Sequence, residues 1–207
     1  MRKITLYSMI SLDGVMQAPG NPEEDPSNGF LYGGWTAPFS DKIYHQEVMK
    51  ELQEPSDYLL GRKTWEIWAD YWPYHDSFWP NISKGTKFLL SKSLKSSDPR
   101  VVAWKNSQVI HSAEDIRELK NSKGQNLQVW GSSELAKLLF QYDLIDELRL
   151  KIHPLILGKG KNLFSPDLIP ASFRLIGTVI SSTGVIITNY QREGEIKTGT
   201  QQATDKI

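Results

Sequence analysis

The stretch Leu127 to Leu157, LQVWGSSELAKLLFQYDLIDELRLKIHPLIL, constrains the fold more than any other part of the chain. Leu127 to Trp130 is a short apolar run that Gly131 interrupts. Ser132 or Ser133 can then cap a helix whose apolar positions Leu135, Leu138, Leu139, Tyr142 and Ile145 repeat at helical spacing. A second strand follows, with Leu148, Leu150 and Ile152 alternating against Arg149, Lys151 and His153. Strand, glycine turn, helix and strand predict a parallel βαβ unit. Its first turn sets free backbone N–H groups and the positive end of a helix dipole at the carboxyl edge of the sheet, where open α/β sheets bind ligands. Glu134 suits that dipole but repels a phosphate brought close, so Gly131-Ser-Ser reads as a plain helix start before it reads as an anion site.

The length of 207 residues suits one well-buried core, expected over 1–192, with a flexible, apolar-poor tail over 193–207. Lys plus Arg equals Asp plus Glu at 24 each, which removes any general electrostatic case for nucleic acid or an anionic membrane as partner. An anion site must be local. The absence of cysteine excludes disulfides, thiolate metal sites and thiol nucleophiles, and agrees with a cytoplasmic setting. The amino-terminal MRKITLYSMISLDG is basic and then apolar, but Thr5, Ser8, Ser11 and Asp13 spoil it as a secretory signal. No apolar run approaches the roughly 20 residues that span a bilayer.

Ile4 to Leu12 has the composition of a strand buried on both faces, ending at Asp13-Gly14. Val15 to Gly34 predicts a long irregular loop. Ser40 can cap a helix from about Asp41 to Leu52, and Tyr58 to Leu60 is a second strand that meets Gly61-Arg-Lys-Thr64 and a helical segment from Trp65. Four of the seven tryptophans fall between 65 and 79, either as a satellite core or as a wall for a planar ligand. Lys87 to Leu90 predicts a third strand and Val101 to Trp104 a fourth, with Val109-Ile110 as a short pairing segment. Ser112 to Asp115 has capping-box spacing, Pro154 should bend the strand before it or place it near an edge, and 173–192 read as a hairpin.

Several chemistries are disfavoured. The four histidines show no metal spacing, GxSxG is missing, Gly61-Arg-Lys-Thr64 lacks the first glycines of a phosphate-binding P-loop, and Gly158 to Leu163 lacks the third glycine of a dinucleotide fingerprint. What remains is three strand ends, at Gly61, Ser91 and Gly131, that should share one sheet edge. Arg62, Lys63 and Lys92 offer charge there, while Thr64, Ser91, Ser132 and Ser133 offer hydroxyls and N–H groups. They read either as ordinary turns or as the grip of an extended phosphorylated ligand. Asp13 reads either as half of an Asp-Gly turn or as a desolvated carboxyl with a raised pKa and a proton to give.

The words Ser11-Leu-Asp-Gly14, Gly61-Arg-Lys-Thr-Trp65, Leu89-Leu-Ser-Lys92, Gly131-Ser-Ser-Glu-Leu135 and Leu144-Ile-Asp-Glu-Leu148, running into Pro154-Leu-Ile-Leu-Gly158, cover most of 1–192. Together the pattern resembles the dihydrofolate reductase-like fold, specifically the reductase domain at the carboxyl end of bifunctional riboflavin-biosynthesis proteins and its stand-alone bacterial relatives. The resemblance implies a three-layer α/β domain with a mostly parallel sheet and a C-terminal antiparallel hairpin. It also implies NADPH. Gly61, Arg62, Lys63 and Thr64 would hold phosphate at a helix start, and Ser91 and Lys92 with Arg62 would surround the adenosine 2′-phosphate. Gly131, Ser132, Ser133, Glu134 and Leu135 would accept the pyrophosphate, the loop from Val15 to Gly20 would cover the nicotinamide, and Asp13 would face the substrate ring as proton donor or anchor. The family's homodimers associate through the sheet. In this chain Ser132 stands where a second glycine is usual and Trp130 where the riboflavin reductases tend to carry an acidic residue. The expectation is a metal-free, cytoplasmic reductase of a small planar heterocycle. The nearest named activity is reduction of 5-amino-6-(5-phosphoribosylamino)uracil, followed by dihydrofolate or another pterin. A non-catalytic nucleotide-binding or interaction module is the alternative from another class.

Overall fold

In a computed structural model, residues 1–166 and 168–200 are described; of the tail expected over 193–207, residues 201–207 lie outside them. Eight strands form one sheet in the order β4-β3-β2-β5-β1-β6-β8-β7. They are β1 (Ile4–Ser11), β2 (Asp57–Gly61), β3 (Lys87–Leu90), β4 (Ser107–Ile110), β5 (Leu127–Trp130), β6 (Glu147–His153), β7 (Ser172–Ile180) and β8 (Ile186–Gly194). β1 to β6 pair in parallel, and β8 joins β6 and β7 antiparallel, so the mostly parallel sheet with a terminal hairpin is what the chain builds. β1 lies at the centre because seven of its eight residues are buried, as a strand covered on both faces requires.

The helices are α1 (Lys42–Gln53), α2 (Arg62–Tyr71), α3 (Pro80–Lys84), α4 (Pro99–Ala103), α5 (Ala113–Asn121) and α6 (Ser133–Gln141). Leu135, Ala136, Leu139 and Phe140 of α6 join Ile4, Leu6, Leu148 and Leu150 in the core on one face of the sheet. The other face is covered by α1 and by a second core of Tyr58, Leu60, Trp65, Trp79 and Trp104. Ser112 makes the anticipated capping box with Asp115 at the start of α5.

Four local expectations are corrected. Asp41, not Ser40, caps α1, accepting from the Tyr44 N–H at 2.6 Å. Val101 to Trp104 is not a strand: Asp98 caps and Pro99 occupies the first turn of α4, and the fourth strand is 107–110. Pro154 lies just beyond a strand that is interior to the sheet, so it ends β6 and does not mark an edge. No side-chain cap opens α6, because Ser132 sits at φ 64° with its hydroxyl turned elsewhere.

Charge is buried on the α1 side of the sheet. Arg149, Lys151 and His153 alternate as anticipated, yet α1 covers them. Lys151 and His153 are 1% and 0% exposed. Lys87, at the start of β3, is also fully buried. Its Nζ donates to the Ile82 carbonyl at 3.1 Å and stands 5.0 Å from the Trp104 ring centroid, and burial pushes its pKa down to about 8. Among the described residues no helix is long and apolar enough to cross a membrane, and no three His, Cys, Asp or Glu side chains cluster to hold a metal.

Candidate active-site cleft

Because β1, β2, β3 and β5 run in parallel, their carboxyl ends open onto the same edge. A cleft of about 1460 Å³ lies there. It is lined by Gly61, Arg62, Lys63 and Thr64 after β2, by Ser91 and Lys92 after β3, and by Gly131, Ser132, Ser133, Glu134 and Leu135 after β5. Three turns far apart in sequence thus converge on one cavity.

Two of them interlock. A Cβ placed on Gly61 would lie 2.0 Å from Ser132 Oγ and 2.8 Å from Ser132 Cβ, so only glycine lets the β2 and β5 turns approach. Gly131 at φ 67° and Ser132 at φ 64° are consecutive left-handed residues; for serine this costs on the order of 1–3 kcal/mol. The position that the family fills with glycine is therefore one that needs it. Ser132 holds it under strain, its side chain seated in the space Gly61 leaves.

The other turn residues divide by availability. Arg62 donates from Nε to Glu66 at 3.0 Å and from Nη1 to Ser93 Oγ at 2.9 Å, tying the start of α2 to the turn after β3. Lys63 and Lys92 are exposed, Lys63 lying 3.8 Å from Asp25. Ser91 lines the cleft but is only 5% exposed, and its hydroxyl accepts from the Leu94 N–H at 3.2 Å, which holds its own turn. Leu135 is a core residue, 1% exposed, so it can offer a ligand only backbone.

Asp13 is not among the residues lining the cleft. Its Oδ1 accepts from Ser11 Oγ at 2.5 Å and from the Leu157 N–H at 3.1 Å, and its Oδ2 from the Gly158 N–H at 2.7 Å. The Ser11 hydroxyl, reinforced by these backbone donors, holds the carboxyl below the usual carboxylate range, opposite to the raised pKa anticipated for a proton donor. Asp13 instead ties the end of β1 to the loop after β6. That loop pins the segment from Val15 to Gly20 in turn: the Met16 N–H donates to the Lys161 carbonyl at 2.8 Å, and Gln17 Oε1 accepts from the Lys161 N–H at 3.0 Å.

The far end of the cleft was not foreseen in detail. Trp130 stacks on Tyr7 with ring centroids 4.5 Å apart and planes 11° from parallel, and meets Trp79 edge-on at 5.6 Å. Its indole N–H donates to Gln128 Oε1 at 2.8 Å, and Gln128 donates to the Glu51 carbonyl at 3.2 Å, so the ring is fixed in orientation. Trp68, Tyr71, Trp72 and Phe78 continue the wall. The tryptophan-rich stretch is both things its sequence allowed: Trp65 and Trp79 are buried in the core, and Trp68, Trp72 and Trp79 face the cleft. Lys151 Nζ lies beneath, 5.3 Å from the Trp130 ring and 2.5 Å from Glu51 Oε2. Burial pushes the Glu51 carboxyl up, and Lys151 opposes the shift. Arg149 lies 5.2 Å from the Tyr7 ring and 2.5 Å from Glu54. The one advance signal was the alternation of Arg149 and Lys151 in β6, since their carboxylate partners sit 95 and 100 residues away.

The RibD C-terminal domain family profile matches residues 2–187. The uncharacterized protein YyaP of Bacillus subtilis (strain 168) is 25% identical over 203 residues, covering 93% of this chain and 96% of its own. A putative riboflavin biosynthesis protein from Shewanella sp. PV-4 superposes with a TM-score of 0.65 at 21% identity, over 92% of this chain and 99% of that one. A dihydrofolate reductase from Enterococcus faecalis complexed with NADP(H) gives 0.59 at 16% identity, over 92% and 96%. The two solved structures establish a dihydrofolate reductase-like fold.

Proposed function

This chain belongs to the RibD C-terminal domain family, and on that premise we propose that it is an NADPH-dependent reductase of a small planar heterocycle. The observation that carries the reading is the convergence of the Gly61, Ser91 and Gly131 turns on one cleft. The dihydrofolate reductase of the same fold holds NADP(H).

The residues present fit such a coenzyme. Gly61 keeps the turn after β2 free of a side chain, and α2 and α6 both start at the cleft, where N–H groups favour phosphate. Arg62 and the exposed Lys92, on adjoining turns, suit a 2′-phosphate. NADPH supplies a hydride when bound. The chain's own part is to hold and orient, with the loop from Val15 to Gly20 excluding water and Trp130 presenting a flat, fixed face to a ring. Reduction of 5-amino-6-(5-phosphoribosylamino)uracil is the nearest named activity, and dihydrofolate the next; both share the planar ring. The reading includes a cytoplasmic setting and a homodimer associating through the sheet, which light scattering checks: a monomeric mass would remove the dimer.

Strained Ser132 and Trp130, where the family pattern differs, favour a second reading, a nucleotide-binding module without turnover. Titrating NADPH while following tryptophan emission decides first whether the coenzyme binds, with saturable quenching expected. No quenching overturns both readings. Saturable binding with no oxidation of NADPH across pterins, pyrimidines and flavins leaves the module.

A further inference from the structure

A phosphate or carboxylate carried by a substrate needs a cation with donors to spare, since an unpaired anion taken out of water is costly. Around the cleft the described cations fall into two sets. Arg62, Lys63 and Lys92 gather at the ends of β2 and β3, exposed and adaptable. Beyond them the cations are already committed. Lys161 Nζ lies 2.5 Å from Asp25, the carboxylate that Lys63 also approaches; at the far end Lys151 Nζ lies 2.5 Å from Glu51, and the Lys151 and Glu51 side chains are both buried. Arg149, behind Tyr7, is held by Glu54. What the far end offers is aromatic surface: Trp68, Tyr71, Trp72 and Phe78 line it, with half-buried Trp130 held against Tyr7 and Trp79.

From this division we infer that the far end of the cleft takes an uncharged planar ring bearing no phosphate or carboxylate. The substrate would then be a neutral heterocycle, which narrows the proposed reading to the planar ring shared by its two nearest named activities, without the ribosyl phosphate of the one or the glutamyl group of the other. The inference rests on the reductase reading of the same cleft. It separates this chain from a phosphoribosyl-specific enzyme by a charge count, and leaves the coenzyme end unchanged.

The test is calorimetric titration of protein saturated with NADP⁺, using riboflavin and riboflavin 5′-phosphate, two probes that differ by one phosphate ester. Riboflavin should bind at least about tenfold more tightly. Equal or tighter binding of the phosphate, or binding of neither, overturns the inference while the NADP⁺ saturation already measured keeps the coenzyme reading. Failure of NADP⁺ itself to bind removes both. A second arm uses Glu51→Gln, which leaves the Lys151 ammonium without its counter-charge in nearly the same shape, with NADP⁺ affinity as the check on folding. The preference for riboflavin should then shrink several-fold; an unchanged ratio in a variant that still binds NADP⁺ would mean that Lys151 does not govern what the floor accepts, and would overturn the inference.

Discussion

The two ends of the cleft handle positive charge in opposite ways. At the β2–β3 end the cations stand in water: Arg62 and Lys63 have side chains 43% and 72% exposed, and their contacts to Glu66 and Asp25 are ones that solvent and salt weaken. At the β5–β1–β6 end Lys151 reaches the cleft wall with a side chain only 1% exposed, against two stacked rings and with a carboxylate 2.5 Å away. An exposed cation can be recruited by an incoming anion for little loss. A buried, paired one cannot, because a new partner would have to displace the old one into a dry interior. One cleft is thereby suited to a molecule charged at one end and neutral at the other.

The sharpest way to break this contrast is Glu51→Ala, which strands the buried Lys151 ammonium. It should lower stability by about 3–5 kcal/mol in urea unfolding, whereas replacing both partners, Glu51→Leu with Lys151→Met, should recover most of the loss. If Glu51→Ala costs less than about 1 kcal/mol, the two ends are not different in kind. Gly61→Ala comes next. Its Cβ would collide with Ser132, so stability should fall by about 1–3 kcal/mol and NADPH affinity with it; an innocuous alanine would show that the two turns can separate. Lys92→Ala probes the exposed end and should weaken NADPH about tenfold more than NADH, a difference of about 1.4 kcal/mol. Equal losses would take the 2′-phosphate away from Lys92. The smallest effect is expected for Asp13→Ala, about 1 kcal/mol of stability with turnover per bound coenzyme unchanged. Its lowered pKa gives the sign: the contribution is present above the unfolded carboxyl pKa and is lost as pH falls through the lower folded value, so the variant should lack part of the wild-type acid sensitivity. A large fall in turnover would return Asp13 to the chemistry.

Much of this was legible because it is local. The capping box at Ser112, the central β1 and the three strand-end turns follow from spacing and burial pattern alone. What was not legible depends on which distant segment packs where. Arg149 and Lys151 look like a solvent face until α1 lies over them, with Glu51 in its last turn and Glu54 at its C-cap. Asp13 ends an apolar strand, which suggests desolvation, but the donors that lower its pKa include the N–H groups of Leu157 and Gly158, more than 140 residues on. Val101 to Trp104 has strand composition, and a proline at the first helical position overrode it.

Lys87 carries a consequence for the protein in mild alkali. Folded, its ammonium loses its proton near pH 8, whereas in the unfolded chain it keeps it to about 10.4. Between those values the unfolded chain holds one proton more than the native one, so deprotonation drives folding and the native state tightens as the medium becomes more basic. A core that welcomes the neutral amine makes this fold an alkaliphile in one residue, and Lys87→Met should erase that climb in a pH series of thermal melts.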